Sequence, residues 1–161
     1  MEQVACDLCS SSEAEVLFPS TLDGSETHAE HFRCTSLTYG QHYQIVRCAR
    51  CGLIYANPRP APGEVLANYE ELTDPLYVEE SEAGRKLTFR KNFRPLQKLA
   101  PQGGEKRLLD IGCYTGVFLE VAQGAGWEAW GVEPCLWATK VAQEKGLRVE
   151  PKTLEGAEFP A

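Results

Sequence analysis

The apolar and polar positions of this chain alternate most regularly from about residue 105 onward. Short apolar runs predict buried strands, and the stretches between them have apolar positions at helical spacing. The order that results is strand, helix, strand, helix, strand, which is typical of a parallel α/β sheet. In chain order the five stretches are residues 108–111, 117–122, 127–132, 136–145 and 147–150.

The first hundred residues have a less regular pattern. Residues 38–47 alternate as a half-buried strand does, and residues 53–56 predict a second strand. A proline-rich joint over residues 57–63 follows, and then a helix that carries Tyr69. Asp74 and Pro75 are predicted to break this helix, and Ser81 to cap a second helix that runs to about residue 100.

A glycine-bracketed bend follows the first strand of the regular region. Asp110 ends that strand, and Gly112 and Gly116 bracket the bend before the helix. Glycine lets the backbone turn sharply and approach a ligand closely, and the amides that start the helix then face a polar ligand. Glu133 ends the next strand, 23 residues beyond Asp110, where a carboxylate that accepts hydrogen bonds from ribose hydroxyls belongs.

This pattern resembles motif I of the class I S-adenosylmethionine-dependent methyltransferases, commonly D-x-G-x-G-x-G. Tyr114 stands where that family usually has glycine, so its ring must be held away from the cofactor. Residues 131–134 match the family's second acidic motif. The resemblance implies that S-adenosylmethionine is the cofactor, that the glycine loop faces its methionine part and that Glu133 binds its ribose. The cofactor-binding residues assigned in this way are Asp110, Gly112, Cys113, Gly116, Glu133 and Pro134. Alternatively, the segment is an ordinary Rossmann-like unit in which Asp110 merely caps the helix.

Two cysteine pairs lie in the first third of the chain. They have the spacing C-x2-C, are separated by 38 residues, and consist of Cys6, Cys9, Cys48 and Cys51. Four thiolates satisfy the tetrahedral preference of Zn²⁺ and leave no open position, so the predicted zinc site is structural. Redox pairs or unrelated buried thiols are the alternatives. Cys34 is the substitute ligand if one of the first pair is not used, whereas His28, His31 and His42 are expected on the surface.

Composition narrows the classes of partner. The chain has 161 residues, 43% of them hydrophobic and 24% charged, as in a globular protein, with a net charge of −7. This acidic balance argues against nucleic-acid or membrane-surface binding, which depends on Lys and Arg. Neither a signal peptide nor an apolar run of membrane-spanning length is found in the sequence, and the seven cysteines fit a reducing compartment, so we expect a cytoplasmic protein.

Taken together, the cysteine pairs, the segment Asn57-Pro58-Arg59-Pro60 and the later glycine motif resemble methyltransferases that carry an N-terminal zinc ribbon, some of which methylate sugars or other small metabolites. The expected domains are a zinc ribbon (1–57), a linker with lid helices (58–104) and a partial Rossmann-like domain (105–161). Arg59, Tyr69, Tyr77 and Arg90 are candidate contacts to substrate or cofactor.

The expected fold class is therefore α/β, with the zinc ribbon and lid helices preceding the N-terminal, three-stranded half of a Rossmann-like methyltransferase sheet. We expect a chain that stops there to be incomplete and inactive alone, and to self-associate through an exposed sheet edge. The catalytic base is not identifiable from the sequence. A different class of function is a non-catalytic zinc-ribbon module that binds protein partners.

Overall fold

A computed structural model describes residues 1–22, 32–35, 39–80, 82–100 and 103–159. The chain divides into two compact units. The first consists of Met1–Phe32 and Ser36–Asn68, and the second of Arg33–Thr35 and Tyr69–Ala161. Three residues from the long segment between the cysteine pairs therefore belong to the second unit.

The first unit contains a three-stranded antiparallel sheet in the order β1-β2-β3. Its strands are β1 (Ala14–Phe18), β2 (Ile45–Cys48) and β3 (Ile54–Ala56), and helix α1 (Pro62–Glu70) follows the proline-rich joint. The sequence pattern did not predict β1. It is short and largely exposed, and so lacks the apolar alternation that marks a half-buried strand.

The predicted strand over residues 38–47 is wrong for most of its length, because β2 begins only at Ile45. Tyr39 and Gly40 lie in a turn, and Gly40 has a φ of +80°. The Thr21 hydroxyl donates to the Gly40 carbonyl at 2.7 Å and accepts from the His42 amide at 2.9 Å. The Thr21 amide also donates to the His42 carbonyl at 3.0 Å, so the backbone here is bonded to a residue outside any strand.

Two helices precede the sheet of the second unit, α2 (Pro75–Glu79) and α3 (Glu82–Leu99). Pro75 was expected to break a helix, but it begins α2 instead, since proline fits the first turn, where its missing N–H is not needed. The predicted cap Ser81 lies outside the described residues. Helix α3 continues through Pro95 and buries Phe93 against the core.

The second unit is built on a parallel sheet in the order β4-β5-β6. Strands β4 (Arg107–Ile111), β5 (Glu128–Val132) and β6 (Arg148–Glu150) alternate with helices α4 (Val117–Gly124) and α5 (Leu136–Glu144). This arrangement confirms the predicted α/β class and the three strands. The buried core between sheet and helices consists of Phe93, Cys113, Leu119, Ala122, Ala129, Ala142, Leu147 and Val149.

The face of the sheet opposite this core is only partly covered by the described residues. Leu109 and Ile111 point to it and are 39% and 60% exposed. Strand β4 pairs only with β5 among the described strands, so it forms an edge. Parallel sheets are normally covered on both faces, so a partly exposed apolar face of this kind is unusual.

A network of charged side chains ties three helical segments of the second unit together. Lys145, just after α5, contacts Glu82 of α3 at 3.2 Å and Glu120 of α4 at 3.4 Å. Lys86 contacts the same two carboxylates at 2.7 and 3.0 Å. Lys145 also donates to the Thr115 carbonyl at 3.3 Å. Because these four ions are partly buried and shared, they hold α3 beside the glycine bend more firmly than isolated surface pairs would.

None of the helices in the described parts of the chain combines the length and apolar character needed to cross a bilayer.

Candidate functional site

The glycine bend is fastened to the neighbouring strand. The parallel register pairs Asp110 with Gly131 and Ile111 with Val132. Beyond the last pair, the amides of Gly112 and Cys113 both donate to the Val132 carbonyl, at 2.8 and 3.2 Å. The bend therefore lies directly beside the residue that follows β5, which is Glu133.

Glu133 is 2% exposed and is held by backbone amides. One carboxylate oxygen accepts from the Tyr114 amide and the other from the Cys135 amide, both at 2.9 Å. Burial raises the pKa of Glu133, although these two amides oppose the shift. A carboxylate has about four lone-pair positions, so roughly two remain for a ligand. Glu133 thus fixes the bend and keeps acceptor capacity at the same time.

Asp110, near the end of β4, lines the same cavity as Glu133. Burial raises its pKa above the usual 3.8, and the charge of Asp110 in turn contributes to the raised pKa of Glu133. The neighbouring Gly112 has a φ of +74°, and a Cβ built on it would meet no atom within 4 Å. The Cβ side of Gly112 therefore faces open space, in a cavity that Asp110 and Glu133 also line.

This open space is a cavity of about 440 Å³. Its walls come from the end of β4, the bend and Glu133, from helices α2, α3 and α4, and from Cys34 and Tyr69. Apolar and aromatic side chains make up much of the lining, as is usual in small-molecule sites. The lining residues are Cys34, Tyr69, Tyr77, Phe89, Asn92, Asp110, Gly112, Cys113, Tyr114, Thr115, Val117, Phe118 and Glu133.

Tyr114 occupies the middle of the bend with a φ of +48°, a backbone conformation that residues other than glycine rarely adopt. Its ring meets Tyr77 edge-on at 4.7 Å and lies 6.0 Å from Trp137. Its hydroxyl reaches Asp74 at 3.5 Å. The ring forms part of the cavity wall through these contacts.

Asp74, which is 1% exposed, joins this wall to the short segment Arg33–Thr35. One Asp74 oxygen accepts from the Thr35 amide at 3.2 Å, and the other accepts from the Thr35 hydroxyl. The adjacent Cys34 lines the cavity. Burial, followed by the charges of Asp74 and Glu133, raises the pKa of its thiol. Sequence reasoning gave Asp74 no role beyond breaking a helix, because its partners are remote in sequence.

Not every predicted cofactor residue lines the cavity. Asp110, Gly112, Cys113 and Glu133 do, whereas Gly116 and Pro134 are not among its lining residues. A Cβ on Gly116 would lie 2.3 Å from the Leu147 side chain, so this glycine permits close packing of α4. Arg90, a candidate contact from the sequence, lines a separate cavity between α3 and α4, whereas Tyr69 and Tyr77 line the cavity of the bend.

The second candidate site is the cysteine cluster of the first unit. The sulfur atoms of Cys6, Cys9, Cys48 and Cys51 all lie within 4.8 Å of one another. The Cys6–Cys51 and Cys9–Cys48 sulfur pairs are each 3.5 Å apart. Tetrahedral zinc with Zn–S bonds of about 2.3 Å requires sulfur atoms about 3.8 Å apart, so the cluster fits this metal.

Backbone amides are also directed at these sulfur atoms. The amides of Cys51 and Arg50 lower the pKa of Cys48 to about 6. The Leu53 amide lowers the pKa of Cys51, but burial and the neighbouring thiols outweigh it and raise this pKa to about 12. Four thiols this close cannot all ionise without a cation, because each thiolate repels the next.

The remaining cysteine and histidine predictions fall elsewhere. Cys34, the substitute ligand, lies at the cavity of the second unit. His42 bonds the Tyr43 carbonyl through Nδ1 at 2.7 Å. His28 and His31 lie outside the described residues.

Comparison with known proteins bears on the second unit. Residues 85–160 match a family model described as a methyltransferase domain. The matched segment contains α4, α5, the three parallel strands and most of α3, and it includes both Asp110 and Glu133.

Comparison with curated proteins gives no match. Among solved structures, the chain is similar to the plantazolicin methyltransferase BpumL in complex with SAH, at 16% identity and a TM-score of 0.39. That match covers 63% of this chain and 38% of the other, so this chain spans well under half the length of that protein. A likeness of this strength supports no inference about the function of this chain.

Proposed function

We propose that this chain supplies the zinc ribbon and the first half of the cofactor site of an S-adenosylmethionine-dependent methyltransferase that acts on a small molecule, such as a sugar or another metabolite. The observation that carries the proposal is the cavity at the ends of β4 and β5, which is lined by the open backbone at Gly112 and by the carboxyl groups of Asp110 and Glu133. The match of residues 85–160 to a methyltransferase domain model supports it.

The cavity residues suit this cofactor in size and chemistry. A cavity of about 440 Å³ is of the size that small-molecule and cofactor sites have. The lone pairs of Glu133 that the backbone leaves unused can accept from a ribose diol. Asp110 offers negative charge to the cationic part of the cofactor, and the aromatic side chains offer apolar surface to the remainder.

When bound, S-adenosylmethionine supplies an electrophilic methyl group on a sulfonium centre. In the proposed mechanism the residues of this chain hold and orient that group, since positioning alone lowers the barrier of a bimolecular transfer substantially. Glu133 holds the bend and the nucleoside together, and the bend admits the ligand to its backbone at Gly112. The residue that removes a proton from the acceptor is not assigned.

We further propose that the four cysteines bind one structural zinc ion. All four ligand positions are filled by thiolates, so no position remains for catalysis. The role of this zinc would be to supply folding free energy to a unit whose three short strands bury little core.

Isothermal titration calorimetry of the chain with S-adenosylmethionine tests the proposed function. We expect binding by the wild type, and a loss of affinity of at least tenfold in Glu133→Ala, because the ribose acceptor and the tie to the bend are both removed. Glu128→Gln is the matched control, since it removes an exposed carboxylate at the other end of the same strand. An absence of heat in all three proteins would overturn the proposal and favour the non-catalytic binding module.

A further inference from the structure

The cavity of the second unit is rich in negative charge. Asp110 and Glu133 line it, and Asp74 bonds to its wall. The cofactor of the proposed function carries a carboxylate on its amino-acid part as well as cationic groups. A carboxylate bound near three acidic side chains is repelled unless a cationic side chain lies close to it.

Arg85, in the first turns of α3, is not itself one of the lining residues of this cavity, but it packs against one of them. Its guanidinium carbon lies 4.0 Å above the centre of the Tyr77 ring, and Tyr77 lines the cavity. Burial raises the pKa of Tyr77, and the charge of Arg85 opposes that shift. Burial, Asp74 and Glu133 raise the pKa of Cys34, and Arg85 again opposes them. The charge of Arg85 therefore reaches two of the side chains that line the cavity.

The hydrogen bonds of Arg85 leave part of its guanidinium without an acceptor. Nη2 donates to the Glu80 carbonyl at 2.8 Å and to the Tyr77 carbonyl. Nε is buried and has no hydrogen-bond partner among the residues that the structure describes. A buried donor without a partner is costly, and a carboxylate is the acceptor that the planar guanidinium matches best.

We propose that Arg85 binds the carboxylate of the amino-acid part of the nucleoside cofactor. The inference rests on the proposed function and adds to it the group that recognises the amino-acid end. The Tyr77 ring, packed between Arg85 and Tyr114, holds the guanidinium at the wall while Asp110 and Glu133 serve the cationic and ribose parts. Sequence reasoning chose Arg90 on the same helix, but that side chain lines the other cavity.

Two ligands that differ only in this carboxylate test the proposal, S-adenosylmethionine and decarboxylated S-adenosylmethionine. Calorimetry is expected to show that the wild type binds the former at least tenfold more tightly. In Arg85→Met this preference is expected to fall below twofold, through weaker binding of the carboxylated ligand alone. Arg85→Lys keeps the charge and is expected to retain part of the preference. Arg90→Met, the matched control on the same helix, is expected to keep all of it.

The outcomes separate the inference from the proposed function. If the wild type binds both ligands equally well, or if Arg85→Met weakens both by the same factor, Arg85 serves only to cap the carbonyls of α2 and the inference is overturned while the function stands. If the wild type binds neither ligand, the proposed function fails and the inference fails with it. If Arg85→Met does not fold, Arg85→Lys carries the test, because its ammonium keeps the charge and loses the planar pair of donors. A preference in Arg85→Lys equal to that of the wild type would then overturn the inference.

Discussion

Gly112, Tyr114 and Gly116 all have a positive φ, but for different purposes. The two glycines share a φ of +74° and differ in their surroundings. Gly112 faces the open cavity, whereas Gly116 faces the side chains of Leu147 and Ala142. The first glycine leaves room for a ligand, and the second lets α4 and the residues after α5 approach each other.

The glycine pair gives a matched prediction. Gly112→Ala and Gly116→Ala both place a Cβ at the same positive φ, which costs about 1–2 kcal/mol in each. Gly116→Ala also forces a Cβ to within 2.3 Å of Leu147, and such overpacking adds about 1–3 kcal/mol. Denaturant unfolding should therefore show a larger loss of stability in Gly116→Ala than in Gly112→Ala. Calorimetry should show the reverse order for cofactor binding, when the loss of affinity is compared with the loss of stability in each variant. Equal losses in both assays would contradict this division of roles.

Asp110 carries a cost in stability that can be measured through pH. Burial holds its pKa in the folded chain above 3.8, its ordinary value. Between those two values the folded state binds more protons than the unfolded state, so the free energy of unfolding falls as pH rises through that window and is then constant. Glu133 acts with the same sign above 4.5.

The corresponding prediction concerns Asp110→Asn. This variant is expected to be more stable than the wild type at neutral pH and to show a shallower fall in stability above pH 3.8, with the contribution of Glu133 remaining. It is also expected to bind S-adenosylmethionine more weakly, as stabilising changes at functional sites often do. Thermal melts from pH 3 to pH 8 measure the first effect. A wild type that is the more stable protein at pH 7 would refute it.

At the scale of elements, the two cysteine pairs, Cys6 with Cys9 and Cys48 with Cys51, share one backbone turn. The amide four residues after the first cysteine bonds to its carbonyl in both, from Ser10 to Cys6 and from Gly52 to Cys48. Ser10 and Gly52, the donors, both have a positive φ, of 59° and 79°. The sequence predicts this turn only at the second cysteine pair, where a glycine, Gly52, occupies the left-handed position.

Substitution of a single cysteine tests the proposed structural role of zinc at these two cysteine pairs. Purified protein is expected to hold a single zinc ion per chain, and Cys48→Ser to lose it together with the order of the antiparallel sheet, because metal binding and folding are coupled in so small a unit. Metal analysis and amide exchange of residues 45–56 are the measurements. Cys34→Ser is the control and is expected to keep its zinc. If Cys34→Ser lost zinc and Cys48→Ser kept it, Cys34 would be a zinc ligand and the proposed set of four ligands would be wrong.

Strongly patterned elements of this chain were predictable from sequence, and weakly patterned ones were not. Strands β4 and β5 and helices α4 and α5 have clear apolar periodicity, and their predicted bounds agree with the structure to within one or two residues. Strand β1 is mostly exposed, and α2 has five residues and buries none of them. Neither can show a periodic apolar face, so the sequence holds little signal for them.

At the scale of the whole molecule, the open face of the parallel sheet has a consequence in solution. An apolar edge strand offers unpaired backbone groups as well as exposed side chains, and such edges associate. We therefore expect the isolated chain to self-associate in a concentration-dependent way.

The test is the substitution Leu109→Lys, which places a charge on the edge strand β4. This change is expected to shift the chain toward monomer, because a desolvated lysine opposes edge-to-edge pairing. Sedimentation velocity over a range of concentrations measures the effect. The control Leu154→Lys alters an apolar residue of similar exposure, 43% against 39%, away from the sheet. A wild type that stays monomeric at high concentration would contradict the expectation.

The sequence by itself determined the α/β order of the second unit, the glycine bend, the acid after β5 and the four cysteines. Each of these has a local signal in the sequence. The strands and helices have a period of apolar positions, the bend and the acid have a spacing within some twenty-five residues, and the cysteines come as pairs that each lie on one turn. Only the tertiary structure decided that both oxygens of Glu133 bind backbone amides and that Cys34 lines the cavity. It also decided that Asp74 and Arg85 contact side chains that line this cavity, whereas Arg90 lines a separate one. Those facts depend on contacts between segments far apart in the chain and on which side of a helix faces which neighbour, and no local pattern encodes them.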